Sequence, residues 1–282
     1  MENGDVREVE KYLEKNVKKK ESKKLKKYVC KKKKNVVLAC ASVIKFVKKI
    51  PERDWMSMPQ GPPNCPPGLE YLMSLSNLFV KQKVEFLEAI TGYETNNKFT
   101  IKNERGEKFY WAVEESDLCS RQCLGQVRPF EMRIMDSYQN EVIHLNRPLN
   151  CGVCCFPCCL QKMEVCAPPG NLIGTVEQEW SFLTPKFKIK DWNGETVLRI
   201  EGPCCNIALC GQSEFQILSR DGQVQVGKIS KEWSGFAREL FTDADYFGIS
   251  FPLDLDVKMK AVMLGALFLI DAMYFENNKG LN

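Results

Sequence analysis

Five of the chain's 14 cysteines fall within one short stretch, at Cys151, Cys154, Cys155, Cys158 and Cys159. Cys151/Cys154 and Cys155/Cys158 have the two-residue gap of zinc ligands, and Cys204, Cys205 and Cys210 could complete such a site. Adjacent cysteines cannot all point at one ion, however, and the chain has a single histidine, His144. A plainer reading of Cys155 and Cys159 is as small buried hydrophobes. The spacing leaves both readings open. His144 sits in the alternating run Val142-Ile-His-Leu145, where a half-exposed strand position is a simpler role than that of a base. Gly-x-Ser-x-Gly, Walker and dinucleotide fingerprints are all absent, so hydrolysis, phosphoryl transfer and hydride transfer have no recognisable residues to carry them.

A disulfide scaffold would be short and preceded by an apolar leader. This chain opens Met1-Glu2-Asn3-Gly4-Asp5, and its first apolar run, Val36 to Ala41, comes late and is short. The thiols are therefore expected to be reduced, in the cytosol. The 282 residues are 44% apolar and 27% charged, which excludes a fully disordered, collagenous or coiled-coil chain and allows a substantial core.

Charge is unevenly placed. Residues 1–50 hold 17 Lys/Arg against 6 Asp/Glu, a net of +11, and the remainder holds 23 against 30, a net of −7. Val6, Val9, Leu13 and Val17 recur at helical spacing, followed by Lys18, Lys19 and Lys20 and later by Lys31, Lys32, Lys33 and Lys34. A solvated helix is the plain reading of this arm. The sharper reading is contact with the anionic cytosolic leaflet of a membrane, where each nearby Lys/Arg adds ~1 kcal/mol. A nuclear or nucleic-acid-binding tail shares the same composition. The acidic balance of residues 51–282 counts against a nucleic-acid partner.

Residues 51–68 read as a linker: Ser57–Gly68 holds five prolines and two glycines in twelve positions. From residue 69 to 282 the pattern is a series of hairpins. Lys98–Lys102 and Glu107–Val113 flank Asn103–Gly106. Glu131–Met135 and Glu141–Leu145 flank Asp136–Asn140. Met163–Cys166 and Leu172–Val176 flank Pro168–Asn171. Lys186–Lys190 and Glu195–Ile200 flank Asp191–Gly194. Glu214–Leu218 and Gln223–Ile229 flank Arg220–Gly222. Alternating runs around such turns predict antiparallel pairs. With an earlier strand near Lys83–Ala89 and a later one, the count reaches about twelve, which suits an all-β up-and-down barrel or sandwich.

The later strand is expected to run from Phe247 to Val257. Phe247, Ile249, Phe251, Leu253, Leu255 and Val257 alternate with smaller or polar residues, and Pro252 suggests an edge position or a bulge. Alternation also puts Asp254 and Asp256 on one strand face. Ala261–Ile270 is then wholly apolar, within a helix expected over about 258–276. Fifteen helical residues span ~22 Å, short of a ~30 Å hydrocarbon core, and Asp271 interrupts the run. An all-round apolar helix of this length is better buried, and a barrel of about twelve strands has an interior wide enough to need it.

Four stretches together resemble the phospholipid scramblase family. They are Asn64-Cys-Pro-Pro-Gly-Leu-Glu-Tyr-Leu72, Cys154-Cys-Phe-Pro-Cys-Cys-Leu160, Gly227-Lys-Ile-Ser-Lys231, and Asp243-Ala-Asp-Tyr-Phe-Gly-Ile-Ser-Phe-Pro-Leu-Asp-Leu-Asp-Val-Lys-Met-Lys-Ala261. The likeness runs from about Pro62 to Glu276, and residues 1–50 do not resemble the Pro-rich arm of longer members. It implies a tubby-like closed barrel around a C-terminal helix. It also implies calcium-dependent, ATP-independent movement of phospholipids between leaflets, with no covalent chemistry. Location at the cytosolic face of the plasma membrane follows from the same likeness, with the nucleus as the alternative when the chain is not acylated. Other readings are a lipid-binding adaptor that holds protein partners on the same barrel surface, and a nuclear DNA-associated regulator.

The resemblance further implies S-palmitoylation at Cys154, Cys155, Cys158 and Cys159; several acyl chains anchor stably where one does not. It aligns Asp243–Asp254 with a calcium (Ca2+) site whose candidate ligand positions are Asp243, Asp245, Phe247, Gly248 and Asp254. Against an EF-hand loop, positions 1, 3 and 12 are acidic and Gly248 falls at position 6, but positions 5 and 9 are Phe247 and Phe251. Two or three ligands and weak binding are expected. Lys228, Lys231 and Arg238 match a segment proposed as a nuclear import signal in relatives, although Glu232 and Glu239 offset their charge.

Overall fold

The computed structural model describes residues 55–83, 97–117, 120, 123–150, 160–203, 214–231 and 246–275. The basic arm, Cys151–Cys159, Cys204, Cys205, Cys210, Arg238, Asp243 and Asp245 lie outside the described residues.

Twelve strands form a closed antiparallel barrel. They are β1 (Asn77–Lys83), β2 (Lys98–Lys102), β3 (Lys108–Glu115), β4 (Phe130–Met135), β5 (Glu141–Arg147), β6 (Lys162–Cys166), β7 (Leu172–Glu179), β8 (Lys186–Asp191), β9 (Thr196–Glu201), β10 (Phe215–Leu218), β11 (Gln225–Ser230) and β12 (Tyr246–Ser250). Each strand pairs with its sequence neighbours, and β12 closes on β1, with Asn77 opposite Ser250. Closure leaves no strand edge to template aggregation.

All five expected hairpins form, and three share one device. Asn103 Oδ1 accepts from the amides of Arg105 and Glu107 at 2.9 and 3.0 Å. Asp136 Oδ1 accepts from Tyr138 and Asn140, and Asp191 Oδ1 accepts from Asn193 and Glu195. A short side-chain acceptor at the first turn residue thus satisfies two amides that the ladder leaves unpaired.

Strand direction alternates, so the five hairpin turns lie at one end of the barrel, hereafter the turn end. The six connections β1–β2, β3–β4, β5–β6, β7–β8, β9–β10 and β11–β12 all leave from the other, the long-loop end.

The first and last strands bear comparison with expectation. The first strand is Asn77–Lys83, with Leu78, Phe79 and Val80 in the buried positions, and the expected stretch beyond Lys83 to Ala89 lies outside the described residues. The last strand stops at Ser250 rather than Val257. Phe251 is still buried, but Pro252 has no amide to donate, and Leu255 N donates to Pro252 O in a turn that leaves Leu253 exposed. Nor is β12 an edge, since it pairs with both β1 and β11. Asp256 has left the strand as well. Its carboxylate accepts from Lys258 N at 2.9 Å and Met259 N at 3.2 Å, capping the next helix.

That helix, α2 (Val257–Ile270), passes into the barrel from the turn end and continues as a π-helical turn, Asp271–Phe275. Every residue from Met259 to Ile270 is buried. Two glycines allow the close fit. A Cβ at Gly265 would sit 2.7 Å from Val165 of β6, and one at Gly174 of β7 would sit 2.7 Å from Val262. Phe99, Phe247 and Phe268 form a mutual edge-on trio, with centroids 5.2–6.2 Å apart, that fixes the helix to β2 and β12. Phe215 packs against Tyr274 and Phe275 at the long-loop end. Among the described residues no helix is long and apolar enough to cross a membrane.

A short helix, α1 (Glu70–Met73), closes the turn end, and the proline-rich stretch lies along the barrel from Trp55 onward. Met56 N donates to Lys108 O at 2.7 Å.

Candidate functional site

The cysteine-bearing connection leaves β5 and rejoins β6 through a narrow neck. Asn150 Nδ2 donates to Leu160 O at 3.1 Å, and Gln161 Nε2 donates to Asn150 O at 3.4 Å. Below it Arg147, almost wholly buried, donates from Nε and Nη2 to Gln161 Oε1 at 3.0 and 2.7 Å, and from Nη2 to Gln126 O. A second buried pair supports the same end: Arg128 grips both carboxylate oxygens of Glu114 at 2.8 and 3.0 Å. Both are fork-type contacts of the kind that fix geometry. The neck is thus braced at residues 150 and 160–161, which lie at the long-loop end on either side of Cys151–Cys159 in the sequence.

The neighbouring connection meets the neck. Gln161 N donates to Gln178 Oε1 at 3.0 Å, and Gln178 N donates to Gln161 O at 2.8 Å. Strands β7 and β8 stay paired up to Glu179 opposite Lys186, so Trp180–Pro185 leaves two residues after that junction.

The three calcium candidates that are described, Phe247, Gly248 and Asp254, are not gathered. Gly248 lies mid-strand, opposite Phe79 on one side and Ser230 on the other, and the Phe247 side chain is in the core. Asp254 lies in the exposed turn beyond the far end of β12. Five strand residues, Tyr246–Ser250, advance ~13 Å, and calcium–oxygen bonds are ~2.3–2.6 Å. Gly248 and Asp254 are thus separated by the end of the strand and the turn that follows it. Phe247, Gly248 and Asp254 do not fit a single calcium site. Among the described residues no group of three or more His, Cys, Asp or Glu could hold a metal.

The basic candidates that are described are occupied. Lys228 Nζ donates to Glu214 Oε2 at 2.8 Å from a strand paired on both sides. Lys231 Nζ donates to Phe275 O at 2.8 Å and lies over the Phe275 ring. Lys228 ties β11 to the start of β10 and Lys231 ties the end of β11 to the C-terminal turn, while Arg238 lies outside the described residues. His144 faces outward between strands, with Nδ1 2.7 Å from Glu141 Oε1.

Sequence reasoning missed Lys260. It has no exposed surface, yet its ammonium, with three N–H donors, lies 2.8–3.3 Å from the carbonyl oxygens of Leu72, Met73, Leu75 and Leu253 and shares its hydrogen bonds among them. Burial pushes its pKa down, and Asp254 partly opposes that shift.

A closed twelve-stranded barrel filled by its own C-terminal helix, with a braced cysteine-bearing connection at one end, defines the class of this molecule. The sequence profile of the family described as Scramblase matches residues 56–277, and the chain belongs to that family. It is 56% identical over 222 residues to phospholipid scramblase 1 of Mus musculus, covering 79% of this chain and 68% of that protein. It is 55% identical over 226 residues to phospholipid scramblase 2 of Bos taurus, covering 80% and 77%. It is also 47% identical to phospholipid scramblase family member 5 of Homo sapiens, covering 76% and 79%.

Proposed function

We propose that this chain moves phospholipids between bilayer leaflets, in a calcium-dependent and ATP-independent way, from the cytosolic face of the plasma membrane. The observation that carries this reading is the family match, which spans the whole barrel and α2. Thioester-linked acyl chains on Cys154, Cys155, Cys158 and Cys159 would hold the long-loop end at the bilayer, and the rigid neck at Asn150 and Gln161 supports that assignment. The lysines of residues 18–20 and 31–34 would add electrostatic attraction to anionic lipid.

With α2 packed inside the barrel, a lipid headgroup has no route through the lumen. On this reading lipids move along the outside of the molecule. Calcium is assigned to Asp243 and Asp245, three residues and one residue before the start of β12 at the long-loop end. Two carboxylates leave most of the calcium shell to water and to lipid phosphate.

The test is reconstitution of the acylated full chain into liposomes carrying a fluorescent phospholipid, with and without calcium and with no ATP. Calcium should accelerate exposure of inner-leaflet probe to an impermeant quencher. Membrane binding without any acceleration would favour the adaptor reading, in which the filled barrel is a docking platform.

A further inference from the structure

Three of four consecutive residues in the β7–β8 connection are large, apolar and in solvent: Trp180 is 57% exposed, Phe182 87% and Leu183 63%. Single exposed hydrophobes are ordinary, but three within one short loop are not. The loop stands on a firm base. Glu179 pairs with Lys186 in the ladder, and Gly202 N donates to Pro185 O at 2.8 Å. The charges on that base are ion-paired, with Lys186 2.8 Å from Glu201, and with Lys188 and Arg199 sharing Glu179 at 2.6 and 3.0 Å, which leaves one excess positive charge.

We propose that Trp180, Phe182 and Leu183 form a wedge that inserts into the interfacial layer of a phospholipid bilayer and sets the long-loop end against the membrane. Phe182 and Leu183 supply the apolar tip, and Trp180 at the loop base has the amphipathic ring that favours the headgroup level. The occupant is a bilayer rather than a protein groove because of what lies beside the loop. The segment bearing Cys154–Cys159 rejoins the barrel at Gln161, which is hydrogen-bonded to Gln178, two residues before Trp180. Exposed Leu149 adds apolar surface at the same neck.

The turn end also shows apolar side chains, but Tyr138, Leu172, Trp192 and Val224 sit on four separate hairpins. Charged groups, Glu104, Arg105, Asp191, Glu195, Arg220 and Asp221, are interspersed among those turns and break up any continuous apolar tip. Trp192, 65% exposed, is therefore the control position.

The inference rests on the membrane-anchored reading above, and its test separates the two. The full chain is prepared with Cys154, Cys155, Cys158 and Cys159 replaced by Ser, and mixed with phosphatidylcholine vesicles in 1 M salt. Neither acyl chains nor the lysine arm then contribute, because screening shortens the Debye length to ~3 Å. Vesicle partitioning should fall about tenfold or more in Phe182→Asp and in Leu183→Asp, and stay within twofold in Trp192→Asp. Bromine-labelled acyl chains should quench tryptophan emission, and Trp180→Phe should remove most of that quenching. No partitioning of the parent chain, equal loss in Trp192→Asp, or unchanged binding in Phe182→Asp would each overturn the wedge. Loss of self-association in Phe182→Asp without loss of vesicle binding would instead assign the loop to a protein contact. If the wedge binds lipid but the acylated chain moves none, the wedge stands and the scrambling activity falls.

Discussion

Lys260 Nζ donates to the carbonyl oxygen of Leu72 at 3.0 Å, across 188 residues of sequence. The same ammonium reaches Met73, Leu75 and Leu253, so one side chain on the first turns of α2 gathers the end of α1, the approach to β1 and the turn after β12. These carbonyls belong to segments that make no ladder, and a buried carbonyl without a donor is costly.

Replacing Lys260 by Met keeps much of the volume and removes the donor. Thermal or urea unfolding should show a loss of about 2–4 kcal/mol, since several buried acceptors lose a charged partner while one buried charge is relieved. An unchanged midpoint would mean that water reaches the cage.

A second buried anchor predicts an alkaline limit. The Tyr110 hydroxyl donates to Gly68 O, and burial, with Glu70 nearby, pushes its pKa well above 10.0. The unfolded chain releases that proton near 10.0 while the folded chain keeps it. The folded state therefore binds more protons, and stability present below pH ~10 falls as pH rises above it. Tyr110→Phe should flatten this slope relative to wild type, and should cost about 1–3 kcal/mol at neutral pH for the unpaired carbonyl. Lys260, whose pKa is lowered, acts in the opposite sense below 10.5 and is present in both chains, so it cancels in the comparison.

The hairpins were legible because their cues are local: alternation, and Asn103, Asp136 or Asp191 where a turn must begin. The plugged interior was legible because Ala261–Ile270 is apolar on every side and too short to span. The end of β12 was not. Alternation continues in the sequence through Leu253 and Leu255, while the chain itself is already turning at Pro252. Lys260 was illegible because a lysine inside an apolar helix is explained only by distant carbonyls. The same holds for the neck, where Arg147, Gln161 and Gln178 meet from three strands or their ends and no spacing relates them. Trp180, Phe182 and Leu183 look like core residues until their loop is seen to leave the barrel.

The proposed acylation of the cysteine cluster gives a third prediction. Replacing Cys154, Cys155, Cys158 and Cys159 by Ser should move the protein from membrane to cytosol or nucleus in cell fractionation. The residual membrane fraction should fall as salt is raised, because the lysine arm carries much of the remaining attraction. Membrane association that is undiminished and salt-resistant would falsify the acyl anchor.

Calcium dependence gives the last prediction, and the geometry of β12 divides its residues. Asp243 and Asp245 precede β12 in the sequence, whereas Asp254 follows it at the turn end, so substitutions on the two sides of the strand test different assignments. In the liposome assay, Asp243→Asn or Asp245→Asn should lower calcium-stimulated lipid movement about tenfold or more. Asp254→Asn should leave it within about twofold. A pair of carboxylates that borrows lipid phosphate should bind weakly, near 10⁻⁴–10⁻³ M by order of magnitude, and less well when the vesicles lack anionic lipid. Calorimetry with and without such vesicles measures that difference. Loss of the calcium response in Asp254→Asn, with Asp245→Asn unaffected, would move the ion to the turn end, beside the Lys260 ammonium, and would reverse the assignment.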